Sequence, residues 1–262
     1  MDNINTFNNL GKNETALITK LSYYDKDIVS FDELKSYMPK NYKYAKQAIY
    51  NLKRKKFLTP VKRGVYSFNP MWSLPTGRQI NSLKIGNIFF PKKNYYLGYY
   101  NMFSFYGLTE QMPRSTFFIN TVISASKIIN GLEFKFIKLK EEFFYGIEDM
   151  EISGEKVRAS DKERTMIDFI DYWNFDESRE KIVDILKKRQ CDVRKFIDYA
   201  LRFPKIKVRK IAGVLLDEAE ISERQTKLLC ESVKNTSLIS VSRVSRRGTK
   251  NKKWGIIIDD RE

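Results

Sequence analysis

The stretch that most limits the possible folds runs from residue 30 to residue 68. It opens on Ser30-Phe31-Asp32-Glu33, a capping box. The Ser30 hydroxyl can accept from the backbone N–H of Glu33, and the Glu33 carboxylate can reach back to the N–H of Ser30. A short helix is expected through Leu34 to Met38, ended by Pro39. The spacing predicts a second helix from Asn41 to about Lys55. Ala45, Ala48, Ile49 and Leu52 fall on one side, and Lys43, Gln47, Tyr50 and Arg54 on the other. Two strand-like runs follow, Phe57 to Val61 and Val65 to Phe68. Lys62-Arg63-Gly64 joins them, and Gly64 can supply the positive φ that a tight turn needs.

Helix, turn, helix and basic hairpin is the order of a winged helix-turn-helix, whose second helix enters the major groove while the hairpin lies against the backbone. Between Lys40 and Arg63 stand nine Lys or Arg and no acid, so the polar stripe of the inserted helix meets phosphate without repulsion. Lys43, Lys46, Gln47, Tyr50 and Arg54 are the candidate groove-facing residues. Gln47 and Arg54 are types that read base edges, and Lys62 and Arg63 are placed for phosphate. The plainer reading of the same residues is a solvated face of a basic protein.

With 262 residues the chain has room for more than one domain and a buried core. Its 18 Phe and 15 Tyr argue against disorder, and its formal net charge of +16 favours an anionic partner. No apolar run is long enough to span a membrane, and Met1 to Leu10 is polar without a secretory pattern. Cys191 and Cys230 imply no disulfide framework, so the cytoplasm is the expected compartment. Histidine is absent, which removes His-based triads, His general acids and His metal ligands; two cysteines alone make no four-ligand zinc site. No cofactor or metal is expected.

The expected fold class is α+β. An N-terminal winged helix-turn-helix occupies 1–75. A mixed α/β domain with a helical C-terminal part occupies 82–262, strand-rich over 82–159 and mainly helical with a terminal hairpin over 160–262. Asn13 is placed to cap a first helix carrying Ala16, Leu17, Leu21 and Tyr24 on one face, and Asn69 to Asn81, with Pro70, Pro75 and Gly77, reads as a connection. Strands are expected at Ile88 to Phe90, Thr116 to Val122 and Leu132 to Leu139, the last with a bulge near Phe136. A short helix from Tyr99 is stopped by Gly107, and Ser153-Gly154 reads as a hairpin tip. Ser160-Asp161-Lys162-Glu163 reads as a capping box for a helix on whose surface Arg164 and Asp168 pair at i, i+4. Helices follow at Glu177 to Arg189, Val193 to Phe203 and Val208 to Ala219, with Asp192 and Ser222 as N-caps. Lys187 to Lys210 holds ten Lys or Arg against Asp192 and Asp198, a second basic surface. Strands at Leu238 to Val244 and Trp254 to Asp259 enclose a basic loop containing Arg246, Arg247, Lys250, Lys252 and Lys253. That loop is open to two readings, a solubilising loop or a surface for RNA, DNA or an acidic protein.

The order of motifs resembles the AbiEi-type antitoxins of abortive-infection and type IV toxin–antitoxin systems. The residues that carry the likeness are Arg63-Gly64-Val65-Tyr66, Gly107-Leu108-Thr109-Glu110-Gln111-Met112-Pro113, Phe143-Phe144-Tyr145-Gly146 and Ser160 to Asp168. Weaker echoes lie at Arg209 to Leu216 and Lys253 to Ile258. The resemblance implies a winged-helix repressor fused to an antitoxin domain that counteracts a nucleotidyltransferase-like toxin while the protein represses its own operon. The partners it implies are a double-stranded DNA operator and either that toxin or the toxin's RNA substrate, and it implies no enzymatic activity. Two other classes stay open. One is a ligand-responsive transcription factor without a toxin. The other is a metal-dependent nuclease hung on Glu133-Phe134-Lys135, for which Glu110 is the nearest upstream acid.

Overall fold

The computed structural model describes residues 10–38, 42–74, 80–109, 112–172, 175–241 and 248–258. The chain forms two units, Met1–Phe89 with Ser126–Phe134, and Phe90–Ala125 with Lys135–Glu262. Helices and sheets are mixed, as the α+β expectation required. Among the described residues no helix is long and apolar enough to cross a membrane.

The first unit begins with α1 (Lys12–Tyr23), β1 (Ile28–Ser30), α2 (Phe31–Ser36), α3 (Tyr42–Arg54), β2 (Leu58–Lys62) and β3 (Val65–Phe68). Helix α1 starts one residue before Asn13, and its buried face is Glu14, Leu17, Ile18 and Leu21 rather than the expected set. Ala16 and Tyr24 are exposed. The face is rotated because Glu14 turns inward onto donors from α3, which no apolar count could show. Ser30 caps α2 as expected, its hydroxyl accepting from Glu33 N–H at 3.1 Å. The strands pair antiparallel in the order β1-β3-β2, and Gly64, at φ 75°, makes the β2–β3 turn. Leu17, Leu21, Leu34, Ile49, Leu52, Phe57 and Phe68 form one core between helices and sheet.

Beyond β3 a single 3-10 turn (Met71–Ser73) follows, and residues 75–79 of the expected connection lie outside the described residues. The strand expected at Ile88 to Phe90 is instead the end of α4 (Lys84–Phe89). Asn81 is the physical reason. Its side-chain oxygen accepts from Leu83 N–H at 3.0 Å and its carbonyl from Lys84 N–H at 3.1 Å, which starts a helical turn ahead of the apolar run.

The next elements are β4 (Tyr95–Leu97), α5 (Tyr100–Phe105), β5 (Ser115–Asn120), β6 (Ala125–Ile129), β7 (Leu132–Lys138), β8 (Ile147–Ile152) and β9 (Glu155–Ser160). They give a six-stranded sheet in the order β6-β7-β5-β4-β9-β8. β4 runs antiparallel to β5 and parallel to β9, with Leu97 opposite Ala159. Gly107, at φ 69°, follows α5, and Ser153 and Gly154, both at positive φ, turn β8 into β9 as read from the sequence. The bulge expected near Phe136 is not needed. Phe134 and Phe136 are buried on one face while Ile137 and Leu139 pack with Tyr96, Tyr99, Phe117 and Ile119 on the other, so plain alternation suffices because both faces are covered.

Five helices complete the second unit: α6 (Lys162–Tyr172), α7 (Phe175–Lys187), α8 (Val193–Arg202), α9 (Ile206–Glu218) and α10 (Glu223–Val233). Their core joins Met166, Ile170, Ile182, Leu186, Phe196, Ile211, Leu215 and Leu229. Asp192 caps α8 through N–H groups of Arg194 and Lys195. The cap of α6 is Asp161, which accepts from Arg164 N–H at 2.8 Å, and not Ser160. The Ser160 hydroxyl, in the last residue of β9, meets Thr165 Oγ1 at 2.7 Å. Ser222 precedes α10 but its hydroxyl donates to Gln225 Oε1 instead of capping the backbone.

The terminal strands β10 (Ile239–Ser240), β11 (Thr249–Asn251) and β12 (Ile256–Ile258) correct the expected hairpin. β10 runs parallel to β12, and the hairpin is made by β11 and β12, with part of the expected basic loop serving as its first strand. Ser242 to Val244, Arg246, Arg247 and Asp259 lie outside the described residues.

Candidate nucleic-acid interface

Helix α3 is amphipathic in the register read from the sequence. Ala45, Ala48, Ile49 and Leu52 are buried, and Lys43, Lys46, Gln47, Tyr50 and Arg54 are exposed. Lys56 ends it in the left-handed region (φ 63°). Lys56 N–H bonds Lys53 O at 3.1 Å and Phe57 N–H bonds Leu52 O at 2.9 Å, a Schellman closure without the usual glycine. Lys43, Gln47, Tyr50 and Arg54 form one stripe along the helix, with the Arg54 guanidinium 6.0 Å from the centre of the Tyr50 ring. Tyr44, 63% exposed, and Lys53 flank the stripe and were missed by sequence reading. The signal for Tyr44 was available, since it stands one residue before the buried Ala45 in a segment rich in Lys.

A polar chain ties this face to α1. Gln47 Nε2 donates to Asn51 Oδ1 at 3.1 Å, Asn51 Nδ2 donates to Glu14 Oε1 at 2.8 Å, and the Lys55 ammonium meets Glu14 Oε2 at 2.5 Å. Burial raises the Glu14 carboxyl, but hydrogen bonds from Lys55, Asn51 and the Gly11 N–H outweigh it and hold the group below its ordinary value. Glu14, packed against α3, is thus ionised and already matched.

The β2–β3 hairpin divides its two predicted phosphate contacts. Arg63 is exposed at the tip, where Phe31 N–H bonds Gly64 O at 2.7 Å and fixes the turn against the start of α2. Lys62 is half-buried, its ammonium donating to the Ile88 carbonyl beside the Phe89 ring. It is therefore turned into the first unit rather than outward.

The second basic region separates in the same way. Lys250 in β11 and Lys252 in the following turn are exposed, while Lys253 bonds Asp217 at 2.8 Å and Glu223 at 3.4 Å. Arg246 and Arg247 lie outside the described residues. Within Lys187 to Lys210 much of the charge is consumed internally. Lys188 pairs Asp184, Lys195 pairs Asp161 and Glu163, Arg202 pairs Asp198, and Lys205 pairs Asp171. Lys210 is fully buried, its ammonium on the carbonyls of Ser237 (2.6 Å) and Gly255 (3.0 Å), and desolvation lowers its pKa.

The pairing of Arg164 with Asp168 forms, but not on a surface: the two side chains are 0% and 2% exposed. Arg164 Nε donates to Asp168 Oδ1 at 2.9 Å, Nη1 to the Phe143 carbonyl at 2.7 Å and Nη2 to the Tyr96 hydroxyl at 3.0 Å. That hydroxyl donates to Asp168 Oδ2 at 2.9 Å. The guanidinium lies 4.4 Å from the Tyr145 ring centre, and Gly146, at φ 64°, leaves room for Arg164 Cβ and Tyr199. Burial pushes the Asp168 carboxyl up to about 6 against the pull of Arg164 and Tyr96. Two sequence motifs, Phe143 to Gly146 and Ser160 to Asp168, are thus halves of one closed network that buries charge and offers no reactive atom to solvent. Among the described residues no group of three or more His, Cys, Asp or Glu could hold a metal ion, and Glu133 accepts from Ser126 Oγ at 3.3 Å.

No family model matches this chain, and no curated protein matches it. Among solved structures it is similar to the RV2827C protein from Mycobacterium tuberculosis, at a TM-score of 0.68 and 12% sequence identity, covering 95% of this chain and 92% of that chain. At that identity the likeness shows that the two chains share a fold over nearly their whole lengths.

Proposed function

We propose that this protein is a DNA-binding autorepressor and antitoxin of the AbiEi type. In this reading α1, α2, α3 and the β2–β3 hairpin make a winged helix-turn-helix, with α3 in the major groove and Arg63 on the backbone. The observation that carries the proposal is the exposed stripe Lys43, Gln47, Tyr50 and Arg54, set in a segment without an acid and on the face of α3 opposite its core contacts. The second unit would neutralise a nucleotidyltransferase-like toxin, by contact or through the toxin's RNA, with Lys250 and Lys252 on the contacting surface. No catalysis is assigned to the chain itself.

Electrophoretic shifts on the DNA upstream of its own gene, at several salt concentrations, test the first half. Binding whose affinity falls steeply with salt is expected, and salt-independent affinity or no binding refutes it. Co-expression with a neighbouring toxin tests the second half. Lys250→Glu with Lys252→Glu is expected to reduce rescue while leaving promoter binding nearly intact. A ligand-responsive regulator is the second reading. It is favoured by an open cavity of about 700 Å³ lined by Arg189, Cys191, Asp192, Arg194, Glu220 and Ser222 among its residues.

A further inference from the structure

Gln47 stands in the middle of the α3 stripe, and its amide is not free to choose its orientation. Asn51, one turn further on, settles it. Asn51 Nδ2 donates to Glu14 Oε1 at 2.8 Å, and a carboxylate can only accept, so the amide of Asn51 cannot flip. Asn51 must then present its oxygen to Gln47, and Gln47 answers with Nε2–H at 3.1 Å. The Gly11 N–H at 3.2 Å and the Lys55 ammonium at 2.5 Å occupy the other oxygen of Glu14 and keep the anchor in place. What Gln47 has left, at the outer end of an exposed side chain, is one N–H and its carbonyl oxygen side by side. A donor beside an acceptor matches N7 and the N6 amino group of adenine in the major groove. Guanine presents two acceptors there and cytosine a single donor.

We infer that Asn51 and Glu14 are positioning residues that set Gln47 to read an adenine, an inference that rests on the reading of α3 as the helix entering the major groove. Neither residue need touch DNA. Their contribution is to hold the reading amide in one state before binding, so the bound complex loses less freedom.

The test is selection of the full-length protein on a randomised duplex library, with base preference scored at each position and the salt dependence of affinity measured on a random duplex. The wild type is expected to prefer adenine at one position that Gln47→Ala abolishes, a loss of about ten-fold. Asn51→Ala is expected to weaken the same preference by about three-fold to ten-fold, with the salt slope unchanged and helix content by circular dichroism retained. Gln47→Glu is expected to move the preference toward cytosine, whose amino group a carboxylate accepts. Should Asn51→Ala fail to fold, Glu14→Gln, which keeps the size but frees the Asn51 amide to flip, must broaden the same position. Unchanged adenine preference in the folded variant, or equal loss on every sequence, overturns the relay while leaving DNA binding intact. A wild type that selects DNA with no adenine dependent on Gln47 does the same. A wild type that binds no DNA overturns the relay together with the reading of α3.

Discussion

The indole ring of Trp254 fills the space into which a side chain on Gly213 would project. A Cβ built at Gly213 meets three ring atoms well inside van der Waals contact. Trp254 is fully buried, and its Nε1–H donates to Asp217 Oδ2 at 2.6 Å, one turn further along α9. Gly213→Ala must displace the ring or the helix and is expected to cost about 1–3 kcal/mol. Trp254→Ala leaves a cavity and is expected to cost about 3–5 kcal/mol. Urea unfolding monitored by far-ultraviolet circular dichroism measures both. A Gly213→Ala protein as stable as the wild type would mean the ring does not pack there.

The Arg164–Asp168 pair should behave as buried ion pairs do, expensive to halve and tolerant of joint replacement. Arg164→Met and Asp168→Asn are each expected to destabilise by about 3–5 kcal/mol, because each leaves its partner buried and unmatched. Replacing both with apolar residues is expected to recover much of the loss. A double-mutant cycle decides it, and single losses below about 1 kcal/mol would place the pair in contact with water.

Acid should weaken the first unit. Glu14, Asp27 and Glu33 lie below their ordinary values despite burial, held down by Lys55, Lys84 and Lys26 respectively. The unfolded chain takes up their protons first. Their stabilisation is complete above the ordinary values, 4.5 for Glu and 3.8 for Asp, and is lost as pH falls through the lower folded values. Urea midpoints from pH 7 to pH 3 should show Glu14→Gln losing less stability at the acid end than the wild type.

Lys62 and Arg63 are neighbours with different expected effects on DNA binding. Arg63→Ala is expected to reduce the salt slope of binding by about 1, the signature of one phosphate contact. Lys62→Ala is expected to leave the slope unchanged, because its ammonium is held by the Ile88 carbonyl. Equal loss of slope in the two variants would show that Lys62 swings out on binding.

The residues that could be read from the chain are those whose position is set by close neighbours. The register of α3 followed from Ala45, Ala48, Ile49 and Leu52, the start of α2 from Ser30, and the turns from Gly64, Gly107 and Gly154. Features set by distant partners were not readable. The i, i+4 spacing of Arg164 and Asp168 is the same for a solvated pair and a buried one. Tyr96 and Phe143, which make it buried, stand 68 and 21 residues away from Arg164. Lys62 looked like a phosphate contact because nothing in its own segment announces Ile88. β4 was missed because Tyr95–Leu97 is too short for a period, and its pairing with β5 and β9 is what makes it a strand.

The first unit is not continuous in sequence. Its second piece, Ser126–Phe134, brings Asn130, whose amide donates to Ser67 Oγ at 3.0 Å and Asn69 Oδ1 at 3.4 Å. A ribosome that has delivered Phe89 has therefore not yet delivered everything this unit contains. The hydrogen bonds of Asn130 close only after the chain has emerged past that residue, by which point β4 and β5 of the second unit have been synthesised as well. The side chains of Ser67 and Asn69 thus await a partner encoded some sixty residues later.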